Sequence, residues 1–124
     1  MVTLRDILNL CPFITLMELD VREVDLKLIK HVVIGKDYRP SSHQLDDERK
    51  GKFEYINADI NKYGRADRRG FTEMSFAIDW KAIPKQYLGM EVEMLMTISE
   101  RYGNNKGDRL RASIIPIQMT IGDM

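Results

Sequence analysis

The chain has 124 residues, of which 44% are hydrophobic and 31% are charged, and its formal net charge is zero. These values are typical of one soluble globular domain. They disfavour a disordered chain, and they disfavour a chain that wraps nucleic acid or an acidic membrane with its whole surface. The one cysteine, Cys11, excludes an internal disulfide and a multi-cysteine metal site, so we expect a reducing, cytoplasmic setting without a membrane partner.

The first predicted element is a short helix over residues 4–10. Thr3 and Asp6 have the spacing of a capping box, in which Asp6 takes the place of the usual Glu or Gln. The apolar residues that recur at helical spacing lie on one face of this helix, and they are Leu4, Ile7, Leu8 and Cys11. Pro12 follows them and disfavours continuation of the helix. Since Cys11 shares this apolar face, we interpret it as a core residue and not as a nucleophile.

Two predicted strands follow, over residues 13–21 and 24–34. In the second strand the apolar alternation changes sides between Leu28 and Ile29. A β-bulge would flip every later side chain to the other face, and a helix would also gather the apolar residues, so both interpretations stay open. His31 has apolar neighbours, and we interpret it as a structural histidine whose hydrogen bonds are satisfied.

Residues 35–52 are polar and predict a long excursion over the surface of the domain. A segment of this length is functional, mobile, or carries a helical turn, and Ser42 is a suitable cap for a turn through residues 46–50. His43 lies in this excursion, and we interpret it as a solvated side chain.

The strongest pattern runs over residues 71–99, where two segments alternate between apolar and polar residues around a turn with Pro84 and Gly89. The apolar positions are Thr72, Met74, Phe76, Ile78 and Trp80, followed by Met90, Val92, Met94, Met96 and Ile98. Because side chains alternate between the faces of a strand, this pattern predicts two neighbouring strands that share one buried face.

The remaining segments complete the predicted sheet. Residues 53–60 predict another strand, and residues 61–70 and 100–109 predict two turn-rich loops. The last strand is predicted over residues 110–121. Pro116 has no amide hydrogen to donate, so it indicates an edge position or a bulge in that strand.

No residue pattern indicates catalysis. Ser41, Ser42 and His43 are adjacent in sequence, which does not build a triad, and no glycine-rich phosphate loop occurs. Glu91 and Glu93 share a face of a predicted strand, about 7 Å apart, but a solvated strand face has the same pattern. We therefore predict no catalytic residue, no metal ligand and no cofactor.

The two predicted loops combine cations with aromatic residues. Such combinations contact phosphates and stack on bases in proteins that bind single strands, although ordinary solvated loops also carry arginines. The candidate binding residues, for nucleic acid or for another partner, are Tyr63, Arg65, Arg68, Arg69, Arg101, Tyr102, Lys106, Arg109 and Arg111.

The opening residues 3–8, a capped helix that leads directly into a strand, resemble the start of small uncharacterised proteins of phages and mobile elements. The resemblance implies a non-enzymatic accessory or inhibitor protein and no functional residue. Arg, Tyr, Met and Trp are favoured anchors in protein interfaces, and the chain has eight methionines.

The sequence thus predicts one α+β domain over residues 1–124. In it, a short N-terminal helix packs on an antiparallel sheet or partly closed barrel of five or six strands. We expect a non-catalytic interaction protein that acts by protein–protein binding. The alternative is a single-stranded nucleic-acid-binding module, and both leave room for a homo-oligomer.

Overall fold

The structure, a computed structural model, describes residues 1–66, 72–102 and 105–117. Within these ranges the chain has three α-helices, which are α1 (Leu4–Leu10), α2 (Ser42–Arg49) and α3 (Lys85–Leu88), and a 3₁₀ turn at Trp80–Ala82. The seven strands are β1 (Ile14–Arg22), β2 (Leu28–Gly35), β3 (Phe53–Asn57), β4 (Ile60–Ala66), β5 (Thr72–Ile78), β6 (Glu91–Tyr102) and β7 (Asn105–Ile115). The predicted mixed α+β class is confirmed.

Strand β7 organises the sheet, because it pairs with three other strands. On one side it runs parallel to β1, and on the other side it runs antiparallel to β6 along its whole length. Together with β2 and β3 these strands form a five-stranded sheet in the order β3-β2-β1-β7-β6. The β4–β5 hairpin joins the beginning of β7 through two residue pairs, Met74 with Asn105 and Ser75 with Lys106.

This topology corrects the predicted sheet in two respects. The pairs β1–β7, β2–β3 and β5–β7 are parallel, so the sheet is mixed and not antiparallel. Seven described strands replace the expected five or six, because residues 60–66 form β4 where a loop was expected. Among the described strands, β3 and β6 lie at the two edges of the five-stranded sheet, which does not close into a barrel.

The hydrophobic core lies on one face of the five-stranded sheet. It includes Met17 and Leu19 from β1 and Leu110 and Ile114 from β7, all with essentially no solvent exposure. Helix α1 contributes its apolar stripe to the same cluster, and α3 adds Tyr87 and Leu88. Among the described residues, no helix combines the length and the apolar composition that crossing a bilayer requires.

A β-bulge at Ile29 explains the broken alternation of β2. Val21 pairs with Lys30 and Arg22 pairs with Leu28, so Ile29 has no partner opposite it in β1. The bulge interpretation is therefore confirmed, and the helical alternative is wrong. The strand also begins later than expected, because residues 23–27 form a turn in which Leu26 has a positive φ of 69°.

A second bulge, at Glu93 in β6, was not expected. Val92 pairs with Ile114 and Met94 pairs with Ser113, so Glu93 is the extra residue. Val92 packs against the core, whereas the side chains after the bulge change faces, and Met94 and Met96 are 68% and 58% exposed. The predicted shared buried face over residues 71–99 is therefore wrong.

The two segments of that strong pattern are also not neighbours. Strand β5 pairs with β4, and β6 pairs with β7, with the 3₁₀ turn and α3 between β5 and β6 in sequence. Trp80 lies in the 3₁₀ turn and is half-buried instead of occupying a strand.

The polar excursion carries helix α2, whose cap is Ser41 and not Ser42. The Ser41 hydroxyl accepts from the Gln44 amide at 3.2 Å, and the Gln44 side-chain oxygen accepts from the Ser41 amide at 2.9 Å. No residue of α2 is buried, and His43 is exposed as expected. The excursion is therefore a surface helix in the β2-to-β3 connection.

Candidate protein-docking groove

The predicted binding residues lie mostly in strands and not in loops. Tyr63 and Arg65 belong to β4, and Arg101 and Tyr102 end β6. The other three described members, Lys106, Arg109 and Arg111, belong to β7. The expectation of a second loop at 100–109 is wrong because β6 and β7 pair residue by residue as far as Tyr102 and Asn105. Arg68 and Arg69 lie outside the described residues.

These residues do not gather into one described site. Arg109 and Arg111 are two positions apart on β7, so they share a face of the sheet, and both are exposed. Tyr63 lines a separate depression with Phe13 and Trp80, and its ring centroid is 6.0 Å from that of Phe13. The two arginines, but not Tyr63, therefore contribute to the face opposite the core.

On that face the structure forms a groove of about 530 Å³ across β1, β7 and β6. We call it the methionine groove and define it by six of its lining residues, which are Asp20, Arg22, Leu26, Met94, Met96 and Arg111. Leu26 comes from the turn before β2. A smaller depression beside it shares Met96 and Arg111 and adds Glu18 and Arg109. The two together form a continuous surface on the outer face of the sheet.

A buried carboxylate forms the base of the methionine groove. Asp20 follows Leu19 in β1, so it points away from the core, yet it is only 9% exposed. Its Oδ2 lies 3.5 Å from Nη2 of Arg111 and 3.7 Å from Nη2 of Arg22, and its Oδ1 lies 3.8 Å from Nδ1 of His31. Two guanidinium groups thus offset the desolvation of the carboxylate.

Arg22 also holds the wall of the groove in place. Its Nη1 donates to the carbonyl of Leu26 at 3.0 Å, and its Nε donates to the hydroxyl of Ser113 at 3.4 Å. The first bond connects the strand to the turn that carries Leu26, and the second connects β1 to β7. Arg22 therefore makes intramolecular hydrogen bonds, whereas the side chain of Arg111 is 54% exposed to solvent.

His31 is less well satisfied than the sequence suggested. Its ring packs against Phe53 at 5.9 Å between centroids, but its buried Nε2 has no hydrogen-bond partner among the described residues. Its Nδ1 has the long contact with Oδ1 of Asp20, at 3.8 Å. The interpretation of His31 as a fully satisfied histidine is therefore wrong, and the residue is packed mainly through its ring.

Ser113, Asp20 and His31 lie on three adjacent strands, but their order does not match a catalytic triad. Asp20 is the residue opposite both Ser113 and His31, since β1 lies between β7 and β2. Ser113 and His31 are consequently two strand spacings apart, about 10 Å. In a triad the histidine must lie between the acid and the nucleophile, so this cluster has no general base beside the serine.

Among the described residues, no group of three or more His, Cys, Asp or Glu side chains is placed to hold a metal ion.

The groove combines an apolar rim with balanced charges. Met94, Met96 and Leu26 supply flexible, exposed apolar surface, and Glu93 also lines the groove. Asp20 and Glu93 balance the charges of Arg22 and Arg111. Such a surface binds an occupant through apolar contact and hydrogen bonds more readily than through net charge.

Sequence reasoning missed Asp20 and Arg22 and misplaced the two methionines. A signal for the first pair was present, because Asp20 and Arg22 share a parity with Glu18 in β1, whereas the alternate positions carry the apolar Met17, Leu19 and Val21. The methionines carried no such signal, since their alternation continues through the bulge.

No protein-family model matches the chain, and neither a curated protein nor a solved structure matches it.

Proposed function

We propose that this protein is a non-catalytic interaction module that holds a segment of another protein in the methionine groove. The observation that carries the proposal is the exposure of Met94 and Met96 beside Arg111 on the outer face of the sheet. Exposed methionines adapt to irregular partners, and methionine and arginine are enriched in protein interfaces.

The chemistry of the groove favours an extended peptide with an apolar side chain and a nearby carboxylate or carbonyl. The apolar side chain would rest between Met94, Met96 and Leu26. Arg111 would donate to the oxygen, because a guanidinium has five N–H donors and the one described partner of this side chain, Asp20, is 3.5 Å away. The balanced charges favour such an occupant over a phosphate backbone.

Single-stranded nucleic acid is the second candidate occupant, supported by Arg109 and Arg111 on one exposed face of β7. Phosphate contacts make affinity fall steeply with salt, so a fluorescent oligothymidine should then bind much more weakly at about 200 mM than at about 50 mM salt. Exchange of both arginines for alanine should remove this binding.

The role of an accessory or inhibitor protein of a phage or mobile element also belongs to the proposal, and it rests on the opening residues.

The test begins with a phage-displayed library of random peptides selected on the immobilised protein. Synthetic versions of the enriched peptides are then titrated against the wild type, Met94→Ser and Arg111→Ala by fluorescence anisotropy. We expect each substitution to weaken binding by about tenfold or more, because each removes a contact at the centre of the groove.

The matched control is Leu10→Ser, which removes an apolar side chain that is 78% exposed on α1, outside the groove. This variant should bind the peptides as the wild type does. Peptides that bind all four proteins equally, or a selection that enriches none, would overturn the proposed docking function.

A further inference from the structure

A second depression, of about 490 Å³, lies apart from the methionine groove and shares no lining residue with it. Three aromatic side chains from separate segments line it: Phe13 precedes β1, Tyr63 lies in β4, and Trp80 lies in the 3₁₀ turn. We call this site the aromatic depression, and its other lining residues are Pro12, Asn61, Ala77, Ile78 and Asp79. It is therefore a surface separate from the proposed docking groove.

The aromatic rings of this depression are held in place without being fully covered. The Asp108 amide donates to the carbonyl of Phe13 at 2.9 Å, which fixes the residue before β1 against β7. The ring centroids of Phe13 and Tyr63 are 6.0 Å apart and their planes are tilted by 56°, so the two rings form a corner and not a stack. Tyr63 is 52% exposed, and Phe13 and Trp80 are half-buried. The rings therefore have surface left for a ligand.

Asp79 gives the aromatic depression a negative charge. Its Oδ1 caps the 3₁₀ turn by accepting from the Lys81 amide at 3.0 Å, and this bond uses one of the two carboxylate oxygens. No arginine or lysine is among the described residues that line the depression. The charge of the lining thus favours a cation and disfavours a phosphate or a carboxylate.

The apolar character of the lining distinguishes between kinds of cation. An ordinary ammonium group is strongly hydrated and needs acceptors for its N–H donors, of which aromatic rings and an apolar base offer few. A trimethylated ammonium keeps the charge without N–H donors, and it is attracted by ring faces within about 6 Å. Ala77 and Ile78 are almost fully buried and form an apolar base, against which an aliphatic stem can lie.

We propose that the aromatic depression binds a trimethyllysine side chain of a partner protein. The trimethylammonium group lies against the faces of the aromatic rings with the Asp79 carboxylate as its counter-charge, and the four-carbon stem of the side chain rests on the apolar base. This binding is additional to that of the methionine groove and depends on no residue of that groove.

Trp80 supplies the readout, because it is the one tryptophan of the chain and it lies in the proposed site. Its fluorescence is followed while the full chain is titrated with three versions of one short glycine–serine peptide. Their central residue is trimethyllysine, lysine, or a neutral isostere in which a tert-butyl group replaces the trimethylammonium group. We expect the trimethyllysine peptide to bind about tenfold more tightly than either of the others. Equal binding of the three peptides, or no binding of the trimethyllysine peptide, would overturn the proposal.

Two variants test the parts of the site. Tyr63→Leu removes a ring and keeps an apolar side chain, and it should weaken binding of the trimethyllysine peptide by about tenfold, whereas the matched control Tyr63→Phe should bind as the wild type does. Asp79→Asn removes the charge and keeps an acceptor for the cap, and it should weaken binding by about threefold or more. Equal affinities of Tyr63→Leu and Tyr63→Phe would contradict the role of the ring, and wild-type affinity of Asp79→Asn would contradict the counter-charge.

Free choline distinguishes a side chain from a small molecule as the ligand. Its stem has two carbons and ends in a hydroxyl, so it should bind about tenfold more weakly than the trimethyllysine peptide, and equal affinity would overturn the assignment to a side chain. Met94→Ser should keep the trimethyllysine binding, and Tyr63→Leu should keep the binding of the groove peptides. Loss of either would contradict two separate sites, whereas failure of the groove selection alone leaves the trimethyllysine result unchanged.

Discussion

The two faces of the five-stranded sheet carry different kinds of residues on the same strands. On β1, Met17, Leu19 and Val21 enter the core, and on the alternate positions Asp20 and Arg22 line the groove. One face is closed by α1 and α3. The other is an open surface with a buried carboxylate at its base. The difference teaches that the alternation of a single strand separates the residues that stabilise the fold from the residues of the proposed docking surface.

The largest expected effect is on the core face. Leu19→Ala should lower the free energy of unfolding by about 2–5 kcal/mol, because the side chain is fully buried and its loss leaves a cavity. Met94→Ala, an exposed change on the groove face, should stay within about 0.5 kcal/mol of the wild type. Urea unfolding followed by circular dichroism measures both. Similar losses in the two variants would break the separation of the faces.

The base of the groove should show an intermediate effect. Asp20→Asn should cost about 1–2 kcal/mol, because it leaves the positive charges of Arg22 and Arg111 without their buried counter-charge while the long contacts limit the loss. In an Arg111→Met background the same change should cost less, since one of the two cations is gone. A double-mutant cycle in urea measures this coupling. Strict additivity of the two changes would contradict a shared cluster.

The sequence predicted those features that depend on neighbouring residues. The capping box of α1 is local, and both of its hydrogen bonds are present between Thr3 and Asp6. The bulge at Ile29 was detectable because the apolar pattern itself changes sides at that point. Both signals lie within a few residues of the structure that they predict.

Features set by distant partners were not predictable in this way. The bulge at Glu93 is invisible in the sequence, because Val92, Met94 and Met96 keep the same alternation while the pairing with β7 moves the methionines to the other face. The polar segment 60–66 forms a strand because β5 supplies its ladder. The groove was missed for the same reason, since its walls come from four elements that are separated in sequence.

The smallest expected effect is on stability, and it arises at the N-terminus of helix α1, which covers part of the core face. The backbone amide of Thr3, which donates to the Asp6 carboxylate at 2.9 Å, and then the Thr3 side chain hold the pKa of Asp6 below its ordinary value. The ionised form is therefore favoured in the folded state. This contribution is present above the unfolded pKa of about 3.9 and is lost as the pH falls through the lower folded value.

Asp6→Asn should consequently lower the melting temperature slightly at pH 7, and the difference from the wild type should shrink as the pH falls below about 4. Thr3→Ala should keep part of this acid dependence, because the backbone amide, which is the larger cause of the shift, remains. Arg111→Ala, on the groove face, should keep all of it. Differential scanning calorimetry across this pH range measures the three curves.

An Asp6→Asn curve parallel to the wild type at every pH would show that the helix cap contributes nothing through its charge. In that case the stability of the core face would depend on apolar burial alone, and the core face would differ more sharply from the charged groove face.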